Sequence, residues 1–428
     1  MYKVKYNSYM ENKLILQKDI TFNFQNILIL VMLLFFGFTS LRFGMFGVGE
    51  IILLFFCILQ LNNQQTILLS IRNHMFTLFW FYYISIIMIG YSFNTFFKIK
   101  SQLIHFDLMA YIVILFLCFT FELAFKGSSF SYLYRLIRFI YFGGLFAVGF
   151  LYFLYLCGLR NFSVFSLAYG GADIFSPFAN DYHQFAYFVA PLPFIGLFIF
   201  GKERRKIVKF LSLLCILLCI KIGLATTSST LVSSWAISAF LFCTLKVLEF
   251  LNKLNRSRSI ILAFFCLILI IFIFNYESFL TLISNFFKGD SNGENRLVIW
   301  SNAIKAWGYS PIVGLGPGSF SGTKVFFGYE AHNTFLQILT QGGILGGTAY
   351  ILLISKLTKS ISVNVYILCA VIALVIYGLG INDLRRTVLW FYYILFYFLN
   401  LKGEEEKSEG TTVNTVIKPA LRAKKSIN

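Results

Sequence analysis

The sequence predicts an all-α, polytopic membrane helix bundle with about twelve transmembrane helices. Apolar residues make up 58% of the 428 residues and charged residues only 13%, whereas a soluble domain carries about 25% charged residues. Apolar runs long enough to cross a bilayer recur along the whole chain, without strand-like alternation or an internal repeat. These observations favour one membrane bundle over the roughly two or three soluble domains that the length alone would suggest.

The predicted spans divide the chain into five regions. They cover Phe24–Leu41, Phe43–Leu61, Met75–Tyr91, Phe106–Ala124, Leu136–Cys157, Tyr182–Gly201, Ile207–Ala225, Thr230–Phe250, Ile260–Phe274, Thr334–Ser355, Ile361–Gly380 and Thr387–Leu401. Residues 1–23 precede them as a polar segment, which is typical of an uncleaved first helix. Residues 24–274 carry the first nine spans, 275–333 form a long loop and 334–401 carry the last three. The polar residues 402–428 predict a disordered tail.

Lysine and arginine place both termini in the cytoplasm. The first 23 residues carry four lysines, and nearly every loop that would then lie inside is basic, such as residues 202–206. Cytoplasmic loops carry this excess of positive residues. The net charge of +18 therefore reports topology rather than nucleic-acid binding, and the loop 275–333 is expected to face outward.

Among the cations that depart from this pattern, three are candidates for function. Arg385 and Arg386 fall in an outer loop between the last two spans, and Lys221 lies near the outer end of the seventh span. Ionisable groups there are costly and often functional. The alternatives are an ordinary interfacial loop for the two arginines and snorkelling of the Lys221 side chain toward water.

The long outer loop contains an amphipathic helix. The stretch ENRLVIWSNAIKAW, residues 294–307, places its apolar residues on roughly one face, and Gly308 and Pro311 end it. Such a helix is expected to lie along the membrane surface. Arg296, in its first turn, is either a solvated surface residue or a phosphate ligand, because guanidinium groups grip phosphate oxygens with paired hydrogen bonds.

Two further segments carry candidate binding residues. The stretch GLGPGSF, Gly314 to Phe320, is either a tight reversal or a turn whose glycines, Gly316 among them, let backbone amides approach an anion. Ahead of the sixth span, Asn180 is one of several polar residues that bind a hydroxyl-rich ligand or merely cap a helix. Asn333 is a possible cap of the tenth span.

His332 immediately precedes the tenth span and is one of four histidines in the chain. A helix N-terminus disfavours the imidazolium, so this ring is expected to be neutral. A neutral imidazole can take a proton from a hydroxyl group, which is the work of a general base. The alternative is a helix-start residue without chemistry.

The cysteines predict neither a disulfide framework nor a metal site. All eight lie in or beside apolar helices, where cysteine behaves as a small buried apolar residue. No spacing of metal ligands occurs elsewhere. We therefore expect no metal and no cofactor.

Together these segments resemble the O-antigen ligase and Wzy-type polysaccharide polymerase superfamily of bacterial envelope enzymes. The resemblance rests on NRLVIWSNAIKAW, SPIVGLGPGSF and AHNTFLQILTQGGILG in this order within a large outer loop, and more weakly on FSPFANDYHQFAYFVAPLP. It covers roughly Ala168 to Gly347. One departure stands out: where members often carry an arginine at the start of the eighth span, this chain has Thr230. Lys221, Arg385 or Arg386 could replace that arginine, and these cations are expected to converge with Arg296 on one outer cavity.

The resemblance implies a GT-C-like, multi-pass glycosyltransferase of the bacterial cytoplasmic membrane with its active site on the outer face. Its donor and acceptor would be undecaprenyl-diphosphate-linked oligosaccharides, with His332 as base and Arg296 as diphosphate ligand. We favour a polymerase of repeat units for O-antigen or capsule, for which a chain-length regulator is a further conceivable partner. An O-antigen ligase acting on lipid A–core and a protein O-oligosaccharyltransferase stay open. A lipid-linked oligosaccharide flippase is the alternative from another class, although the chain lacks the repeat common in transporters.

Overall fold

A computed structural model describes residues 24–43, 46–63, 74–96, 103–162, 165–170, 173–253, 291–322 and 328–425. In chain order the helices are α1 (Phe24–Gly37), α2 (Val48–Asn63), α3 (Met75–Phe96), α4 (Ile104–Lys126), α5 (Phe130–Leu156), α6 (Tyr182–Val189), α7 (Leu192–Lys202), α8 (Lys206–Ala225), α9 (Ser229–Lys253), α10 (Ser291–Trp307), α11 (Thr334–Ile361), α12 (Val365–Gly380) and α13 (Thr387–Lys425). The predicted helical class is confirmed.

Seven helical segments in the described residues are long and apolar enough to cross a membrane. They are α3, α4, α5, the α6–α7 pair, α8, α9 and α11, and three shorter apolar helices join them: α1, α2 and α12. The chain is therefore a membrane protein. The predicted ninth span, Ile260–Phe274, lies outside the described residues, so the count of about twelve spans stays a prediction.

Two features of the fold differ from the sequence prediction. The first is a pair of short antiparallel hairpins in loops: β1 (Arg42–Phe43) with β2 (Phe46–Gly47), and β3 (Asn161–Phe162) with β4 (Phe165–Ser166). Strands of two residues are too short to show alternation.

The tail is the second difference, because α13 continues to Lys425 through residues that were expected to be disordered. Asn400 and Lys402 pair with Glu404 and Glu405 one turn further on, at 3.2 and 2.8 Å. Such pairs on a helix surface support its continuation through the first residues of the tail.

The described chain forms two compact units. Among the described residues, the first contains those between 24 and 63, 120 and 228, and 390 and 425, and the second contains those between 74 and 119 and between 229 and 389. In the first unit, Phe121 stacks on Phe56 and meets Phe391 edge-on, with centroids 5.3 and 4.8 Å apart. Here α7 and α8 pack closely, and the Ser212 hydroxyl of α8 donates to the Gly196 carbonyl of α7 at 2.7 Å.

In the second unit, α9 packs along α12 and α3 packs along α11. The ring of Tyr83 lies against Gly342 and Gly346 of α11, where a Cβ atom would come within 2.8 and 3.1 Å of the ring. Small residues thus let the two helices approach.

Helix α11 is interrupted at Gly343, which has φ 60° and ψ −161°. Beyond the break, the N–H groups of Ile344 and Leu345 donate to the carbonyls of Pro311 and Ile312, at 2.8 and 3.2 Å. A Cβ at Gly343 would collide with the Ile312 carbonyl oxygen. The interruption therefore joins the segment around Pro311 to α11 through the main chain.

Candidate functional site

His332 lies directly before α11 in a left-handed backbone conformation, with φ 46°, and its side chain is half-buried. Few residues other than glycine adopt such a φ, and those that do often lie at functional sites. The next residue, Asn333, caps the helix by accepting a hydrogen bond from the Leu336 N–H at 3.0 Å. Its amide nitrogen donates to the Leu379 carbonyl at 2.8 Å.

These bonds give Asn333 a structural role. Both ends of its amide are used within the protein, as is common for an asparagine at a helix N-cap. The predicted role in substrate binding is not supported. Instead, Asn333 fixes the backbone after His332 to the end of α12.

Arg296 of α10 lies beside Thr230. Its Nη1 atom donates to the Thr230 hydroxyl at 3.4 Å. Thr230 is buried near the start of α9, and a Cβ at Gly380 would come within 2.5 Å of its methyl group. This contact therefore links α10 to the start of α9.

His332 and Arg296 belong to the same end of the second unit. Gly380 contacts Thr230, the partner of Arg296. Its chain neighbour Leu379 binds Asn333, which follows His332. The starts of α9, α10 and α11 and the end of α12 therefore meet, and they bring the predicted base and the predicted phosphate ligand to a common region.

Arg385 is held between two carboxylates. Its Nη1 atom lies 2.6 Å from Asp107 Oδ1, and its Nη2 atom pairs with Glu330. The guanidinium carbon lies 4.8 Å from the centre of the Phe106 ring, and only 9% of the side chain is exposed. A buried arginine needs such partners. Because its charge is compensated inside the protein, the predicted role as a diphosphate ligand is not supported for Arg385.

Arg386 lies close to Asp383. Its N–H donates to the Asp383 carbonyl at 2.8 Å. The buried carboxyl of Asp383 accepts from the hydroxyl of Thr334, the first residue of α11. Burial raises the pKa of Asp383 to about 7, whereas Thr334 and Arg386 lower it. The Arg386 backbone is therefore fixed close to the start of α11.

The glycine-rich turn is packed into the second unit. The N–H groups of Gly314, Leu315 and Gly316 donate to the carbonyls of Ser310, Thr340 and Gln341, and that of Gly318 donates to Asp107. Gly316 has φ +83°, and a Cβ there would lie 2.6 Å from the Tyr91 Cα. These amides are bonded within the protein, so the prediction that Gly316 helps to bind an anion is not supported.

The remaining predicted residues, Lys221 and Asn180, belong to the first unit. Lys221 is exposed on α8. The Asn180 backbone and side-chain nitrogens donate to the Thr39 hydroxyl and carbonyl, at 3.0 and 3.1 Å. Asn180 thus fixes its own loop to the end of α1. Convergence of Lys221 with Arg296 on one cavity stays a prediction.

Sequence reasoning missed Asp107 and Gln341. The Gln341 amide nitrogen donates to Asp107 Oδ2 at 2.7 Å, and its oxygen accepts from the Tyr83 and Tyr111 hydroxyls at 3.2 and 2.6 Å. Asp107 was visible only as an acidic residue in the first turn of a predicted span. Such charges are costly in a membrane, and this was the one available signal.

Comparison with known proteins finds one family for part of the chain. Residues 211–351 match the family model described as O-Antigen ligase, a segment that contains Thr230, Arg296 and His332. The helices and this match together define a membrane enzyme with a transferase role. The resemblance to the O-antigen ligase and Wzy-type superfamily is thereby confirmed over about a third of the chain. No curated protein matches the chain.

Proposed function

We propose that this chain is a polymerase that joins undecaprenyl-diphosphate-linked oligosaccharide repeat units into a surface polysaccharide. The reaction would take place at the outer face of a bacterial cytoplasmic membrane. The observation that carries the proposal is His332, which is fixed in a left-handed conformation before α11. It lies at the same end of the second unit as the Arg296–Thr230 pair.

His332 acts as the general base. The N-terminal end of α11 disfavours a positive charge on the ring, and in this role the uncharged imidazole accepts the proton of an acceptor hydroxyl. The resulting oxygen attacks the anomeric carbon of the donor sugar. The bond from that carbon to the diphosphate oxygen breaks, and the electron pair leaves with undecaprenyl diphosphate. The proton then passes from His332 to water.

Arg296 stabilises the leaving diphosphate. A guanidinium fork can donate two parallel hydrogen bonds to phosphate oxygens, and charge develops on those oxygens as the sugar bond breaks. Arg386 is the second candidate cation, because its backbone binds Asp383, which in turn contacts Thr334 two residues after His332. Arg385 takes no part in this step, since Asp107 and Glu330 occupy its guanidinium.

The test is the His332→Ala variant, purified into lipid vesicles with lipid-linked oligosaccharide from the source cells. Product length is read on a gel. Loss of a general base typically lowers the rate by about a hundredfold to ten-thousandfold. The matched control is His105→Ala, because His105 is an exposed histidine of the same unit. Wild-type polymer length and rate in His332→Ala, at equal protein amount, would refute the role of base.

A further inference from the structure

Asp107 is the centre of a hydrogen-bonded network that reaches the loop before His332. This carboxylate is almost fully buried, with 1% of its side chain exposed. Its Oδ1 atom accepts from Arg385. Its Oδ2 atom accepts from the Gly318 N–H at 3.0 Å and from the Gln341 amide at 2.7 Å. Both carboxylate oxygens therefore accept hydrogen bonds, one from the loop after α12 and the other from the glycine-rich turn and α11.

The first branch of the network passes through Arg385. The guanidinium that binds Asp107 also pairs with Glu330, two residues before His332. The second carboxylate oxygen of Glu330 accepts from the Asn382 amide at 2.8 Å. Charge-assisted bonds of this kind are stronger than neutral ones, so Glu330 is firmly held.

The second branch passes through the glycine-rich turn. Gly318, whose N–H binds Asp107, accepts at its carbonyl from the Gln337 amide at 3.1 Å. The Gln337 oxygen in turn accepts from the Ala331 N–H at 2.9 Å. The two branches therefore start from one carboxylate and end on adjacent residues, Glu330 and Ala331, directly before His332.

A left-handed histidine is unfavourable unless its surroundings enforce it. Here the chain is fixed on both sides of His332, by the two branches before it and by Asn333 after it. We propose that Asp107 is a positioning residue for His332, acting through Arg385–Glu330 and through Gly318–Gln337–Ala331. This inference rests on the proposed function, in which His332 is the base.

The direct test measures the reactivity of the His332 ring. Asp107→Asn keeps the size of the side chain but replaces one acceptor oxygen with an NH₂ donor, so it cannot satisfy both branches. Diethyl pyrocarbonate labelling, followed by mass spectrometry, gives the rate at His332 relative to His183 of the first unit. We expect this ratio to rise as the loop loosens.

Two further variants are labelled in the same way: one breaks a single branch of the network, and the other is a control. Gln337→Glu retains an acceptor for Ala331 but loses the donor to Gly318, so it breaks only the second branch and should raise the ratio less. If Asp107→Asn does not fold, the labelling ratio of Gln337→Glu tests the proposal instead. Glu203→Gln is the matched control, because it breaks the buried end of the Arg138–Glu203 pair of 3.0 Å in the first unit. It should leave the ratio unchanged.

Kinetics give the second readout. A misplaced catalytic group can cost about a hundredfold in rate, so Asp107→Asn should lower kcat by up to that factor without raising KM for the lipid-linked donor. In a His332→Ala background the same change should cause no further loss. An unchanged labelling ratio in both network variants, or a higher KM with unchanged kcat, would overturn the proposal. The two proposals fail separately: an unchanged ratio removes Asp107 and leaves the base, whereas full activity in His332→Ala removes the base itself.

Discussion

Replacing Gly316 by alanine tests whether the glycine-rich turn serves packing or binding. The left-handed φ of +83° costs an alanine about 1–2 kcal/mol. The new methyl group would also lie 2.6 Å from the Tyr91 backbone, and overpacking of this kind costs about 1–3 kcal/mol more. We therefore expect a total loss of about 2–5 kcal/mol in the free energy of unfolding.

The chain offers a matched control for this change in Gly158. It has φ +85°, and no atom lies within 4 Å of the position that a methyl group would take. Gly158→Ala should therefore cost only the backbone contribution of about 1–2 kcal/mol. The difference between the two variants isolates the steric contribution of the turn.

The assay is thermal unfolding of both variants in the same detergent. Because membrane proteins often unfold irreversibly, the midpoints are compared at one scan rate. Gly316→Ala should unfold at a clearly lower temperature than Gly158→Ala. Equal midpoints would refute the packing argument. Wild-type stability with lost polymerisation in Gly316→Ala would instead restore the turn as an anion-binding site.

Three further predictions concern charge and topology. Arg296→Lys should lower polymerisation because lysine lacks the bidentate fork, whereas the exposed Lys305→Arg on the same helix should not; equal activities would contradict a phosphate contact. Burial raises the pKa of Asp383 from 3.8 to about 7, so its contribution to stability is fully present below about pH 4 and is lost as the pH rises through 7. Asp383→Asn should remove that slope in pH-dependent thermal unfolding, and an unchanged slope would assign it to other groups. A cysteine at Ser310, in a cysteine-free background, should react with an impermeant maleimide on intact cells, whereas cysteines in residues 202–206 should not; the reverse would invert the orientation.

Much of the fold follows from the sequence because membrane helices depend on composition. Outside the undescribed Ile260–Phe274, each predicted span contains helix, since a run of apolar residues has few other stable forms in a bilayer. The second predicted span was wrong at its start, where Phe43, Phe46 and Gly47 belong to the β1–β2 hairpin, and the sixth is divided into α6 and α7. The hairpins were missed because their strands are two residues long. The helical tail was missed because a polar composition does not show which side chains pair one helical turn apart.

The parts of the candidate site that lie in short sequence motifs could be predicted, whereas contacts between residues far apart in the chain could not. His332 and Arg296 stand in a composite motif. Asp107, by contrast, acts through Arg385, which is 278 residues away in the chain. A sequence shows that Arg385 is a cation but not that a buried carboxylate compensates it. For this reason the sequence predicted Arg385 as a diphosphate ligand, a role that the structure does not support.

The break in α11 at Gly343 implies that some neighbouring positions can vary among homologues whereas Gly343 cannot. The loop before α11 is attached there by main-chain bonds to Pro311 and Ile312, which most side-chain substitutions in the loop leave in place. The loop surface can therefore diverge from one homologue to another without shifting the helix that begins beside His332. Gly343 itself has no such freedom, because any side chain would collide with the Ile312 carbonyl. An alignment of homologous chains should therefore show a variable loop and an invariant glycine at the position of Gly343.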